Sequence, residues 1–275
     1  MGIYLRPAEL DEALKALAVQ RLTVLAGGTD FFPARVGKPL DDDVLDITAL
    51  GALRGIADIG TGHRIGALTT WTDLIRADLP AHFDGLKQAA REVGGAQVQN
   101  AGTVVGNVCN ASPAADGMPN LVALDAEVEL ASNAGRRSMK LTSFVTGNRK
   151  TERRPDEIVT GLLIPKPRAP ARSTFLKLGA RKYLVISIVM VASVIETDGD
   201  RIANARIAVG SCAAVAKRLP ALETALKGAA LSSAAKVVTP DHLAPLAPID
   251  DVRGTGEYRR DAALILVRRA LEDLA

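Results

Sequence analysis

Two glycine-bearing loops constrain this chain more than any other feature. The first, Leu25-Ala26-Gly27-Gly28-Thr29-Asp30, follows the apolar run 22–25 and leads into Phe31-Phe32. The second, Thr103-Val104-Val105-Gly106-Asn107, is followed closely by Ser112-Pro113-Ala114-Ala115-Asp116. Each sets glycine beside small hydroxyl or amide residues at the end of an apolar run. Such loops turn bare backbone N–H groups toward a phosphate with no side chain in the way. Neither loop holds Lys or Arg, so a phosphate here would rest on backbone dipoles, Ser/Thr/Asn groups and helix N-termini. Singly, each loop reads equally well as a tight turn. Two cradles in one chain point to a diphosphate gripped from both sides, as in a dinucleotide.

The rest of the chain reads as alternating helices and strands. Leu10, Leu14 and Leu17 have helical spacing within 7–18, and 23–26 and 44–47 read as short buried strands. Gly60-Thr61-Gly62 separates the strand-like runs 56–59 and 64–67, a hairpin signature. With Gly66 that turn nearly spells the GxGxxG dinucleotide fingerprint, but the third glycine comes one place late and a strand follows where the fingerprint needs a helix. Helices are expected at 72–77, with Thr70 or Thr72 as N-cap, at 85–93 and at 118–124 behind Asp116. Strands are expected at 127–130, 138–141 and 158–164. Pro165, Pro167 and Pro170 mark the best domain boundary. Beyond it the runs 173–178, 185–194 and 201–209 read as strands, and 219–226, 229–238 and 258–274 as helices.

Composition excludes several classes of function. With 34 basic and 31 acidic residues in 275, net charge is only +3 and no run is strongly basic, which argues against nucleic acid and anionic membrane surfaces. The N-terminus lacks the basic start and apolar stretch of a signal peptide, and the longest apolar run, 185–194, is too short to span a bilayer. Cys109 and Cys212 make neither a disulfide framework nor a cluster or zinc set, so a reducing cytoplasm is expected. His63, His82 and His242 are far apart without partner acids at ligand spacing, and no metal site is expected. No G-x-S-x-G elbow is present.

AGGTD at 26–30, RIGALTTWTDL at 64–74, TVVGN at 103–107 and SPAAD at 112–116 stand in order with FLKLGARK at 175–182, ARIAVGS at 205–211 and DDVRGTGEYRR at 250–260. In these segments, spread over almost its whole length, the chain resembles the FAD-binding medium subunit of the molybdenum hydroxylases, the family of carbon monoxide dehydrogenase and xanthine dehydrogenase flavoproteins. The resemblance implies an α+β fold: an FAD-binding domain of the vanillyl-alcohol-oxidase-like (PCMH) type over 1–168, in subdomains of about 1–54 and 55–168, then a smaller sheet-plus-helices domain over 171–275. It implies one FAD and electron transfer from 2Fe-2S clusters of a small subunit, with molybdopterin on a large one. It further implies a dimer of heterotrimers and NAD, a quinone or dioxygen as acceptor. No residue of this chain is then needed as a general acid or base. The chain's two cysteines fit clusters that reside on another subunit, since each needs four ligands. Other readings are a stand-alone FAD-dependent oxidase or dehydrogenase with its own substrate site, and a flavin-storing or chaperone-like module.

Carried over residue by residue, the resemblance places Leu25, Ala26, Gly27, Gly28, Thr29, Asp30, Phe31 and Phe32 on one side of the FAD diphosphate, with Thr103, Val104, Gly106 and Asn107 on the other. Asp116 is implied to bond the flavin's sugar-alcohol chain, while its plainer reading is a helix cap. Lys177 is implied to reach the flavin, against a solvated strand lysine. Val93 and Val159 are implied apolar contacts, and Ile186 a neighbour of the reactive face, against ordinary core strand. Only nine aromatic residues occur (five Phe, three Tyr, one Trp), so largely aliphatic flavin surroundings are expected. Two departures stand out. Val105 replaces a usual glycine, so a Cβ would resist positive φ and crowd the phosphate. Gln99 and Ala101 stand where arginines are frequent, weakening the pull on an anion.

Overall fold

The computed structural model describes residues 2–37, 39 and 41–275. The chain opens with β1 (Tyr4–Leu5), α1 (Leu10–Val19), β2 (Thr23–Leu25) and β3 (Val44–Asp46), which form a parallel sheet in the order β1-β3-β2. Helix α1 crosses from β1 to β2, which flank β3 on either side, and buries Ala13, Leu14 and Leu17. The central β3 is buried throughout, including Asp46, which accepts hydrogen bonds from the Thr48 N–H at 2.8 Å and from the Tyr4 hydroxyl.

The next stretch builds a five-stranded sheet with helices around it. Its elements are β4 (Ile56–Asp58), β5 (Gly62–Gly66), α2 (Trp71–Arg76), α3 (Asp84–Glu92), α4 (Ala96–Ala101), α5 (Val104–Asn110), α6 (Gly117–Ala123), β6 (Glu127–Ser132) and β7 (Gly135–Lys140). The four-residue α7 (Leu141–Phe144), the small pair β8 (Val145–Gly147) and β9 (Lys150–Thr151), and β10 (Ile158–Pro165) complete it. The order is β4-β5-β10-β6-β7, with antiparallel pairing throughout. The Gly60 segment is the hairpin turn that its spacing implies. Gly60 has φ +78° and its N–H donates to Asp58 Oδ1 at 2.7 Å. Thr70 caps α2 reciprocally with Asp73.

A third, antiparallel sheet follows in chain order: β11 (Ala171–Leu178), β12 (Val189–Asp198), β13 (Arg201–Gly210) and β14 (Lys217–Arg218). Its strand β12 is buried on both faces, and period two divides it. Met190, Ala192 and Val194 join the core of the preceding elements, while Val189, Val191 and Ile195 face a second core. The second core is closed by α8 (Pro220–Leu226), α9 (Ala234–Val237) and α10 (Gly256–Glu272). Gln88 of α3 ties the first core to this sheet, its Oε1 accepting from the Phe175 N–H at 2.7 Å.

Two expectations about elements need correction. The apolar run 185–194 is not one strand: β12 begins only at Val189, and 179–188 forms a loop in which Tyr183, Leu184 and Ile186 are exposed and Leu184 has φ +52°. The helix expected over 229–238 is a 3-10 turn at Leu231–Ser233 followed by the single turn α9.

His82 sits in the 3-10 turn Ala81–Phe83, buried, with Nε2 unpartnered. Burial, then the neighbouring His63 and Arg206, push its pKa down from 6.5 to about 4, with Glu196 opposing. A base whose folded pKa lies below its unfolded one binds more protons when unfolded, so stability rises with pH between those two values. Wild-type protein is expected to lose on the order of 2–3 kcal/mol from pH 6.5 to 4 through this group. His82→Gln, followed by urea unfolding across that window, should flatten the slope by that amount.

Candidate functional site

The first glycine loop leaves β2 and curls at once into a turn, with the Phe32 N–H donating to Gly28 O at 3.1 Å. Gly28 has φ +70°, where side chains are strained, and a Cβ there would lie 2.7 Å from the Phe32 ring. Gly27 is fixed by a neighbour: a Cβ would stand 1.9 Å from Ala101 O, the carbonyl that ends α4. The two glycine segments therefore abut. The second is anchored to α2 through the Trp71 N–H donating to Gly102 O at 3.1 Å and the Val104 N–H donating to Thr69 O at 3.0 Å.

The second segment is mostly helix. Thr103 is the N-cap of α5, its Oγ1 accepting from the Gly106 N–H at 2.9 Å, and Val104 through Asn107 are helical. This corrects the part of the expectation about Val105 that concerned positive φ. The residue needs no positive φ, and its side chain is buried in the core at 3% exposure. Val105→Gly is accordingly expected to destabilise the protein by about 2–3 kcal/mol, through lost burial and a glycine in a helix, and not to tighten ligand binding; urea unfolding with a parallel FAD titration checks both. Gly106 is small for a local reason, since a Cβ would press on Thr103 Oγ1 at 2.7 Å and disturb the cap.

A cavity of about 860 Å³ opens between these segments. It is lined by Leu25, Ala26, Gly27, Gly28, Thr29, Asp30 and Phe31 on one side. Thr103, Gly106 and Asn107 face them, and Val93 and Val159 also border the space. Five residues implied by the resemblance lie outside that lining. Phe32 is 54% exposed beside Gly28, while Val104 is wholly buried in the core. Asp116, Lys177 and Ile186 stand elsewhere. Ile186 is half exposed in the 179–188 loop, not core strand.

Asp116 and Lys177 form a buried unit. Lys177 Nζ lies 2.6 Å from Asp116 Oδ2, and the Ser187 hydroxyl donates to Oδ1 at 2.6 Å. Both side chains are under a tenth exposed. Asp116 precedes α6 without capping it, and Lys177 is not solvated, so both plainer readings fail. Burial pushes the Asp116 carboxyl upward while Lys177 and Ser187 hold it down.

The cavity also holds residues that sequence reasoning missed. Arg21, Arg35, Arg149 and Arg153 line it, restoring cations near a site whose glycine segments have none. Arg35 is engaged with Asp42 at 2.6 Å and lies 3.7 Å over the Phe31 ring. Arg149 bonds Asn110, and Arg153 donates to Glu157 O at 2.8 Å. Gln99, one of the two departures, serves the backbone instead, donating to Arg91 O and Val93 O at the end of α3. Trp71 and Phe31 are the aromatic walls, among the aliphatic Val93, Val98, Val105, Ile158 and Val159.

Asn107 lines this space, while its Oδ1 is buried beside Gly117 with no hydrogen-bond partner. The size of the cavity and its glycine faces suit a dinucleotide. Among the described residues, no three His, Cys, Asp or Glu side chains gather as a metal site, and no helix is long and apolar enough to cross a membrane.

Residues 1–167 match the family model for the FAD binding domain in molybdopterin dehydrogenase, and 174–274 match the CO dehydrogenase flavoprotein C-terminal domain. The chain belongs to this flavoprotein family. It is similar to the glyceraldehyde dehydrogenase medium chain of Sulfolobus acidocaldarius, 31% identical over 99% of this chain and 98% of that one. It also resembles the nicotinate dehydrogenase FAD-subunit of Eubacterium barkeri, 37% identical over 71% of this chain and 69% of that one. The reconstituted CO dehydrogenase structure from Oligotropha carboxidovorans superposes with a TM-score of 0.89 at 28% identity, covering 99% and 96% of the two chains. The architecture is thus the α+β flavoprotein fold of the CO and xanthine dehydrogenase family, the cofactor is FAD, and the chain is an oxidoreductase subunit of the molybdenum hydroxylase type.

Proposed function

We propose that this chain takes electrons from 2Fe-2S clusters of a small partner subunit, within an assembly whose large subunit carries molybdopterin, and passes them to NAD, a quinone or dioxygen. The observation that carries the reading is the closure of Gly27 against the end of α4, facing Thr103, Gly106 and Asn107 across a dinucleotide-sized cavity. Bound FAD supplies the redox chemistry, and the protein binds, orients and tunes it. Leu25 to Phe31 and Thr103, Gly106 and Asn107 would hold the diphosphate and its neighbours, with Arg149 and Arg153 adding positive charge. Val93 and Val159 would pack on its apolar parts. Asp116 and Lys177 lie outside the cavity lining, and we assign them a positioning role through their buried pair. The exposed Tyr183, Leu184 and Ile186 would face the partner from which electrons arrive.

Division of the chain into domains at 1–168 and 171–275 accords with the separate sheets and with a break between β10 and β11. A reducing cytoplasm and a dimer of heterotrimers complete the proposal. Tagged full-length chain purified from its native cells should carry iron, molybdenum and flavin in constant ratio, and NADH added anaerobically should bleach the flavin if NAD is the acceptor. A flavoprotein that purifies alone and is bleached directly by an organic substrate would favour the stand-alone oxidase or dehydrogenase.

A further inference from the structure

A second cavity, of about 550 Å³, shares no lining residue with the first. Its wall includes His82, the segment 165–169 between β10 and β11, and residues of β12 and β13. Two acids and four cations border it. Glu196 is fully engaged: Oε2 accepts from the backbone N–H groups of Arg168 at 2.9 Å and Ala169 at 3.2 Å, and Oε1 accepts from Asn204 and Arg206. Asp125 is likewise paired, with Arg218 at 2.7 Å and Arg206 at 3.4 Å. The side chains of Lys166, Arg168 and Lys227 are exposed and have no ion pair among the described residues. Both acids are thus satisfied while three cations are not, so the cavity is positive.

Its buried wall supplies a second, independent observation. His82 is only 6% exposed, its Nε2 has no hydrogen-bond partner, and Arg206 and Glu196 line the same cavity. An unpartnered buried imidazole nitrogen calls for a donor or acceptor from a bound molecule. A neutral ring presents one N–H, and beside three free cations an anion is the complement it fits.

We infer that this cavity is a binding site for a small phosphate-bearing anion, separate from the FAD cavity and held by Lys166, Arg168 and Lys227 with His82 at its floor. Phosphate carries close to two negative charges near neutrality and several strong acceptor oxygens, matching three cations and one imidazole. The ligand would tie the segment between β10 and β11 to the end of α8 at Lys227, raising the melting temperature as its concentration rises. Because the cations are exposed, binding weakens with salt.

Titration calorimetry of full-length, FAD-saturated protein with inorganic pyrophosphate, and separately with inorganic phosphate, at fixed ionic strength tests this. The expected result is saturable binding at one site per chain by at least one probe, a shift of the His82 ring resonances, and at least a tenfold rise in Kd for Lys166→Ala/Arg168→Ala. Both of those residues lie on the surface, and circular dichroism confirms that the variant is folded. Omitting FAD separates the two sites: a second binding event that appears only without FAD belongs to the first cavity. Absence of saturable binding by both probes, binding that disappears on FAD saturation, or an unchanged Kd in the double variant would overturn the inference.

Discussion

Replacing Gly27 with alanine is expected to weaken FAD binding by up to about 100-fold. The added Cβ would stand 1.9 Å from Ala101 O and about 3.0 Å from the Cα of Gly102, both backbone atoms, so no flexible side chain can yield. Overpacking of this kind costs about 1–3 kcal/mol. The strain is relieved only by moving the loop off the end of α4, away from the arrangement that faces Thr103 and Asn107. Each 1.4 kcal/mol so diverted is a tenfold loss of affinity. Gly51→Ala is the control, since a Cβ there meets nothing within 4 Å. Equilibrium titration of apo protein with FAD measures both, and an unaltered affinity in Gly27→Ala would mean that the two segments separate freely.

Lys177→Met is expected to destabilise the fold by about 3–5 kcal/mol, because it strands the Asp116 carboxylate in a buried setting. That loss would lower the melting temperature by on the order of 10 °C in a chain of this size. Adding Asp116→Asn should restore part of the loss, since the amide needs no counter-ion and can still bond Ser187. A double variant no more stable than Lys177→Met would show that the pair is not energetically coupled. Chemical denaturation at pH 7 reads the whole cycle.

The frame of the site was legible in the sequence because its parts are local. Gly27-Gly28 after a short apolar run, the Gly60 hairpin and the Thr70 cap are set by nearest neighbours, and each stands where local chemistry implies. The second segment was misread because glycine was weighed as a loop former. Thr103 three residues before the Gly106 N–H is also an N-cap spacing, and that signal would have placed Val105 in the helix. Longer separations carried no such signal. Lys177 and Asp116 are 61 residues apart, and Arg149 reaches the cavity from the β8–β9 hairpin and Arg153 from just beyond it, outside every motif. The run 185–194 misled for a different reason. Uniform apolar character describes a buried strand equally well as an exposed loop joined to one, and the left-handed residue inside that loop, Leu184, is not a glycine that would announce it.

The most direct test of the account is an anaerobic titration of the full-length apo protein with FAD, followed by acid precipitation. The expected outcome is one FAD bound per chain, quenched or shifted in its spectrum and held more weakly in Gly27→Ala, then released quantitatively into the acid supernatant. No saturable uptake, or flavin that remains with the precipitated chain, would contradict a noncovalent site between the two glycine segments.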